Sequence, residues 1–233
     1  MTFTVIARQQ GLLGIAQCTS AVAVGGRCPF IRANVGAVCT QAHTDPGLGP
    51  LAIELLTMGH SPEKVLKDLA ETDPDFAWRQ VGIVDRHGRV AVHTGSSSKD
   101  HKGSIVGTDY LVMGNNLATG QVVESMNRAF IDSAGQILED RLLAAITAGR
   151  DAGRDLGRHW TSVILVYDSE PYARTDLRVD WAPGSEDAVD AMTKLMENWR
   201  PLIPYYKEKP HRPRMAGWQD WLKNNRVDWR STP

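Results

Sequence analysis

The chain has 233 residues, 42% hydrophobic and 23% charged, with a formal net charge of −1. That length allows one large domain with an extension, and the composition excludes a disordered or fibrous chain. A near-neutral charge gives no overall pull toward nucleic acid or anionic lipid, and no segment reaches the length of a membrane span, so neither partner is expected.

Residues 2–8 are predicted as a strand that is mostly apolar on both faces, through Phe3, Val5 and Ala7 on one side and Ile6 on the other. The turn Gln9-Gln10-Gly11 leads into a second strand at 12–19, so the chain opens with a hairpin. A glycine-bearing stretch, 21–34, precedes a third strand at 35–41, where Gly36, Ala37 and Thr40 leave room for close approach to the backbone. Two helices follow the loop 43–50. The first, 51–58, has Pro50 at its start and Gly59 at its stop. Ser61-Pro62-Glu63 starts the second with an N-cap, a proline and an acid at the positive end of the dipole, and Asp73-Pro74 closes it.

Segments 78–85 and 89–93 read as a second hairpin, and 95–103 as a polar loop. A strand at 110–113 runs into Gly114-Asn115-Asn116. Helices are predicted at 121–131 and 137–148, strands at 162–167 and 176–179, and a last helix at 186–199. Antiparallel strand pairs separated by helix pairs argue for an α+β layered sandwich, two sheets face to face with helices outside. A doubly wound parallel sheet fits less well, because strands seldom alternate singly with helices.

The three cysteines, Cys18, Cys28 and Cys39, are odd in number and sit in apolar surroundings, which suits reduced thiols in a cytoplasm. The N-terminus lacks the basic region of a secretory signal, so a cytoplasmic location is expected. The cysteine spacing contains no Cys-x-x-Cys pair, and neither a metal nor a cofactor is called for.

Residues 2–8 (TFTVIAR), 35–42 (VGAVCTQA), 91–95 (AVHTG), 114–117 (GNNL) and 176–180 (DLRVD) carry a family resemblance. In order and spacing they resemble the bacterial and archaeal family catalogued as domain of unknown function 1028, over about residues 1–190. That family looks like a member of the N-terminal nucleophile hydrolase superfamily. The resemblance implies a four-layer αββα sandwich whose nucleophile begins the first strand, where Thr2 would stand after removal of Met1. A threonine there offers a hydroxyl to attack a carbonyl and a neutral α-amine to take its proton. The competing reading is an ordinary strand threonine.

Asn115 and Asn116 could supply N–H donors to an oxyanion, or could simply form a strand-to-helix turn that tolerates left-handed backbone angles. Thr40 and Gln41 end the third strand and could line the same mouth. His43 and His93 are the histidines expected to approach it, against the alternative of packed imidazoles. Asp176, Arg178 and Asp180 share one strand face, a spacing that favours cross-strand ion pairing, with carboxylate binding by Arg178 as the other option. Cys39 reads as a small buried hydrophobe rather than a nucleophile.

Residues 200–233 differ from the rest, with eight Lys or Arg against three acids and five of the twelve prolines. They also hold Tyr205, Tyr206, Trp218, Trp221 and Trp229. The domain expectation is therefore 1–199 for the layered domain and 200–233 for a Pro/Trp-rich basic arm. The arm is expected to run extended, with a short helix at 218–224, and to clamp aromatics onto its own domain or a second subunit, making a homo-oligomer. The function expected is hydrolysis of an amide-type C–N bond in a small-molecule substrate by Thr2. The alternative is a non-catalytic protein of the same fold that keeps Met1 and binds a metabolite or acts as a scaffold.

Overall fold

The computed structural model describes residues 1–99, 101–153, 157–182 and 184–227. The opening hairpin is β1 (Thr2–Gln9) and β2 (Leu12–Thr19), joined by Gln10 and Gly11, both at positive φ. A short pair, β3 (Pro29–Arg32) and β4 (Gly36–Ala42), is followed by α1 (Leu48–Thr57) and α2 (Pro62–Thr72). Four strands come next: β5 (Arg79–Asp85), β6 (Val90–Thr94), β7 (Gly103–Gly107) and β8 (Tyr110–Asn115). The helices α3 (Gln121–Asp132) and α4 (Leu138–Ala152), the strands β9 (Thr161–Tyr167) and β10 (Ala173–Val179), and α5 (Ala188–Trp199) complete the layered part.

One sheet has the order β10-β9-β2-β1-β8-β7 and the other β3-β4-β5-β6, with antiparallel neighbours throughout. Strand alternation divides the side chains into three apolar layers. Phe3, Val5, Ala16 and Cys18 face α3, α4 and α5, where Met126, Leu142 and Met192 meet them. Ile6, Ile15, Leu111 and Met113 face the second sheet through Ala37, Cys39 and Val84. Val38, Val81 and Ile83 turn outward onto Ala52, Val65 and Leu69 of α1 and α2. The layer order is αββα, the one the family resemblance implied. Burying each large side chain of these layers contributes about 1.5–3 kcal/mol.

Local signals account for most boundaries. The Ser61 side chain accepts from the Lys64 amide and caps α2, with Pro62 and Glu63 in its first turn. Gly59, at φ 94°, ends the chain's exit from α1 in a conformation a side chain would resist. Two strands were not anticipated. β3 has only four residues, and β7 is a half-exposed edge strand bounded by glycines, so neither shows clean alternation.

The expected extended arm is corrected. Arg200–Leu202 and Lys209–His211 are tight helical turns around α6 (Ile203–Glu208), and α7 (Trp218–Asn224) follows. Pro201, Pro204 and Pro210 stand at the first or second positions of these turns, where a missing N–H costs nothing. Trp229 and the rest of 228–233 lie outside the described residues.

Candidate functional site

Register places three polar residues side by side at one end of the larger sheet. Thr2 is opposite Thr19 on β2 and opposite Asn115 on β8, so all three share a face directed between the sheets. The Thr2 and Thr19 hydroxyls are 2.8 Å apart, and Thr19 also donates to the Met1 carbonyl at 3.3 Å.

Beneath this row the inter-sheet layer is polar before it turns apolar. Thr4 donates to Gln41 Oε1 at 2.6 Å, and Gln17 Nε2 donates to the same oxygen at 3.0 Å. Gln41 Nε2 in turn donates to Gln80 Oε1 at 2.6 Å, which also accepts from Asn115 Nδ2 at 3.2 Å. Gln80 Nε2 reaches Thr94 Oγ1 at 2.9 Å and the Gly114 carbonyl at 3.1 Å. Gln80 is thus the hinge between the two sheets and fixes the Asn115 amide. The buried amides of Gln41 and Gln80, satisfied in this way, rigidify what stands on them, while Gln17 Oε1 has no hydrogen-bond partner among the described residues.

Above the row is a cleft with two lobes that share Thr2, Thr19, Ala21, Ala42 and His43. One lobe, about 390 Å³, runs under Val24, Arg27 and Arg79. The other, about 300 Å³, is bounded by Met1, Ser98, Lys99, Asn115 and Asn116. Two loops shape the cleft. Arg79 is fixed by Asp73 at 2.8 Å and donates to the His43 carbonyl at 2.5 Å, holding the 43–47 turn. This pairing pulls the Asp73 carboxyl below its ordinary range and raises Arg79. The Lys102 ammonium gathers the carbonyls of Gly95, Ser96 and Ser98 at 3.0, 2.8 and 2.6 Å, which curls the loop bearing Lys99.

Met1 continues the alternation of β1, so its side chain points to the helix layer and is 8% exposed. Its α-amine lies 3.3 Å from Ser20 Oγ, and burial draws that amine below its ordinary value, with Lys99 adding to the effect. Behind β1, His159 stacks edge-on against Phe3 with ring centres 5.2 Å apart and bonds Asp187 at 3.1 Å. Burial alone would raise the Asp187 carboxyl. Hydrogen bonds from the His159 ring and amide and from the Val189 amide outweigh it and hold the group at about 2.

Of the residues singled out from sequence, Thr2, Asn115, Asn116, Gln41 and His43 come together at the cleft. Asn116, at φ 50°, does use the left-handed conformation available to asparagine. Gln41 is almost wholly buried and committed to the polar layer. Thr40 has the opposite parity and faces the α1 side, its hydroxyl without a hydrogen-bond partner among the described residues. His93 also faces that side, stacked on Phe76 at 4.1 Å with Nε2 3.0 Å from the Phe76 carbonyl. Arg178 lies on β10, beyond β9 and β2, and pairs with Asp176 two residues away on its own strand at 2.7 and 3.0 Å. The cross-strand pairing expected there is replaced by this pair along the strand. Cys39 is fully buried and its thiol is pushed well above its ordinary range, which suits the hydrophobe reading.

Thr19, Arg27, Arg79 and Lys99 were not anticipated. Thr19 could have been found by pairing the opening hairpin through its turn, whereas the three cations reach the cleft from loops and strand ends that carry no periodic signal.

A model of a family of unknown function, DUF1028, matches residues 2–191. The crystal structure of protein SPO2555 from Silicibacter pomeroyi, described by the same family model, superposes with a TM-score of 0.78 at 27% identity, over 94% of this chain and 92% of that one. HslV from Trypanosoma brucei overlaps at 0.48 and 11% identity, over 71% of this chain and 99% of that one. Anbu, the ancestral β-subunit from Yersinia bercovieri, overlaps at 0.41 and 12%, over 92% and 98%. No curated protein matches the chain. With one family model spanning most of its length and a solved member sharing its whole architecture, the chain belongs to the DUF1028 family.

Proposed function

We propose that the protein hydrolyses an amide-type C–N bond in a small molecule, with Thr2 as nucleophile once Met1 has been removed. The observation that carries this reading is the row Thr19–Thr2–Asn115 at the floor of a two-lobed cleft. The freed α-amine of Thr2 takes the hydroxyl proton as Oγ1 attacks the substrate carbonyl. The oxyanion is met by N–H donors of the Asn115–Asn116 turn, whose Asn115 amide is fixed by Gln80. The C–N bond breaks as the amine returns its proton to the leaving nitrogen, and water hydrolyses the resulting ester, regenerating the hydroxyl.

The test is to measure the intact mass of protein from its native host, then expose wild type and Thr2→Ala to an acylating β-lactone. Loss of Met1 and labelling confined to wild type are expected. Uniform retention of Met1 would end the amine-base mechanism, and equal labelling of both proteins would exclude the Thr2 hydroxyl.

A second reading rests on Met1. Its buried side chain makes it part of the helix-layer core, which favours a non-catalytic protein that keeps the residue and binds a metabolite or acts as a scaffold. The same mass measurement separates the two. Three buried free thiols support a reducing compartment such as the cytoplasm, and no described helix is long and apolar enough to cross a membrane. Exposed aromatics such as Tyr172, Trp181 and Tyr206 support a homo-oligomer.

A further inference from the structure

The charge around Thr2 is one-sided. The first lobe is lined by Arg27 and Arg79 and the second by Lys99, with the His43 imidazole exposed between them. Among the described residues no Asp or Glu lines either lobe. Arg79 is partly compensated by Asp73, with Asp45 and Asp75 also acting on it. Arg27 and Lys99 are exposed and make no ion pair with any described acid. In a chain of net charge −1 such a concentration has to be built locally, and a cleft of one sign focuses its field on what enters.

We infer that the cleft selects a small amide bearing a carboxylate at each end, one met by Arg27 and the other by Lys99 on either side of Thr2. This names the substrate class of the proposed reaction and rests on the cleft being its substrate site. Arg27 and Arg79 serve the lobe away from Met1, Lys99 the lobe beside Asn115, so a substrate whose carbonyl lies over Thr2 presents its ends to cations on both sides. The role is specificity-determining and electrostatic: neither cation needs to touch the reacting atoms. The alternative carboxylate binder, Arg178, is already occupied by Asp176 and lines neither lobe.

The test uses glutarate and its uncharged counterpart glutaramide, titrated calorimetrically into wild type, Arg27→Gln and Lys99→Gln. Unchanged thermal midpoints confirm that these surface variants fold. Glutarate is expected to bind wild type, glutaramide to bind at least tenfold more weakly, and each substitution to weaken glutarate about tenfold, the scale of one charge-assisted contact. Raising the salt should weaken glutarate alone. Equal binding of the two compounds, no glutarate binding at millimolar concentration, or glutarate affinity indifferent to both substitutions would overturn the inference. Lactone labelling reads the nucleophile separately: charge-selective binding without Thr2 labelling leaves the anion preference standing and sinks the hydrolase reading, while labelling without charge preference does the reverse.

Discussion

Gln80 carries the strongest prediction for a single side chain. Its carbonyl oxygen accepts from both Gln41 and Asn115 while its amide nitrogen serves Thr94 and the Gly103 and Gly114 carbonyls, so five groups depend on one residue that has no access to water. Gln80→Leu keeps approximate volume but strands those partners in a low-dielectric layer, and a loss of about 3 kcal/mol is expected by chemical denaturation. A change of less than about 0.5 kcal/mol would show that the layer does not depend on it. Residues of this kind explain how far the site was legible in the sequence. Thr2 and Asn115 stand out because one opens a strand and the other closes one beside a glycine. Gln17, Gln41 and Gln80 become a network only when β4 and β5 pair and β2 packs across from them, a relation no local pattern encodes. Parity decides the opposite cases. His93 occupies a strand close to the cleft, but its side chain falls on the outward face with Val81, where Phe76 stacks on it.

Among the elements, α5 shows how a start signal becomes an electrostatic anchor. Asp187 caps the helix by accepting from the Val189 amide and binds His159, while Arg150 of α4 lies 3.8 Å away. Its carboxyl is held at about 2, against an ordinary value of 3.8. The ionised form is therefore favoured by folding: the stabilisation is complete above pH 4, drains as the pH falls through the folded value, and amounts to roughly 2 kcal/mol. Asp187→Asn keeps an N-cap side chain but removes the charge. It should lose about that amount at pH 7 and show a flatter decline of stability between pH 4 and pH 2 than wild type. Parallel acid limbs for the two proteins would mean that this pair does not carry the pH dependence. The central strands and most helices were legible from apolar periodicity, reinforced by side-chain caps at α2 and α5, whereas α1 begins at Leu48, ahead of the start that Pro50 suggested. β3 and β7 were not, since each is held by its partner strand rather than by its own pattern.

The residues after Trp199 act on the layered domain through the surface they cover. The arm folds back onto β10 and the β9–β10 turn of its own chain. Tyr206 stacks on Trp199 at 5.0 Å, Tyr205 and Leu222 are buried, and Lys207 and His211 lie 3.8 and 3.3 Å from Asp168 and Glu170. The Trp199 indole, which donates to Thr175 Oγ1 at 2.9 Å, is covered from outside by this packing. Ile203, Tyr205 and Leu222 each remove apolar area from water worth about 1.5–3 kcal/mol, part of which is spent on ordering the arm. The Lys207–Asp168 pair and the His211–Glu170 contact, partly exposed, add little. Truncation after Trp199 should therefore lower the thermal midpoint by several degrees even in a monomer, through loss of the cover over Trp199 and β10. If the arm also joins subunits, the truncated protein will show fewer subunits by light scattering, and the midpoint of the full chain will rise with protein concentration. An unchanged subunit number with a lowered midpoint confines the arm to its own chain. An unchanged midpoint would mean that the aromatic cover contributes nothing to the layered domain.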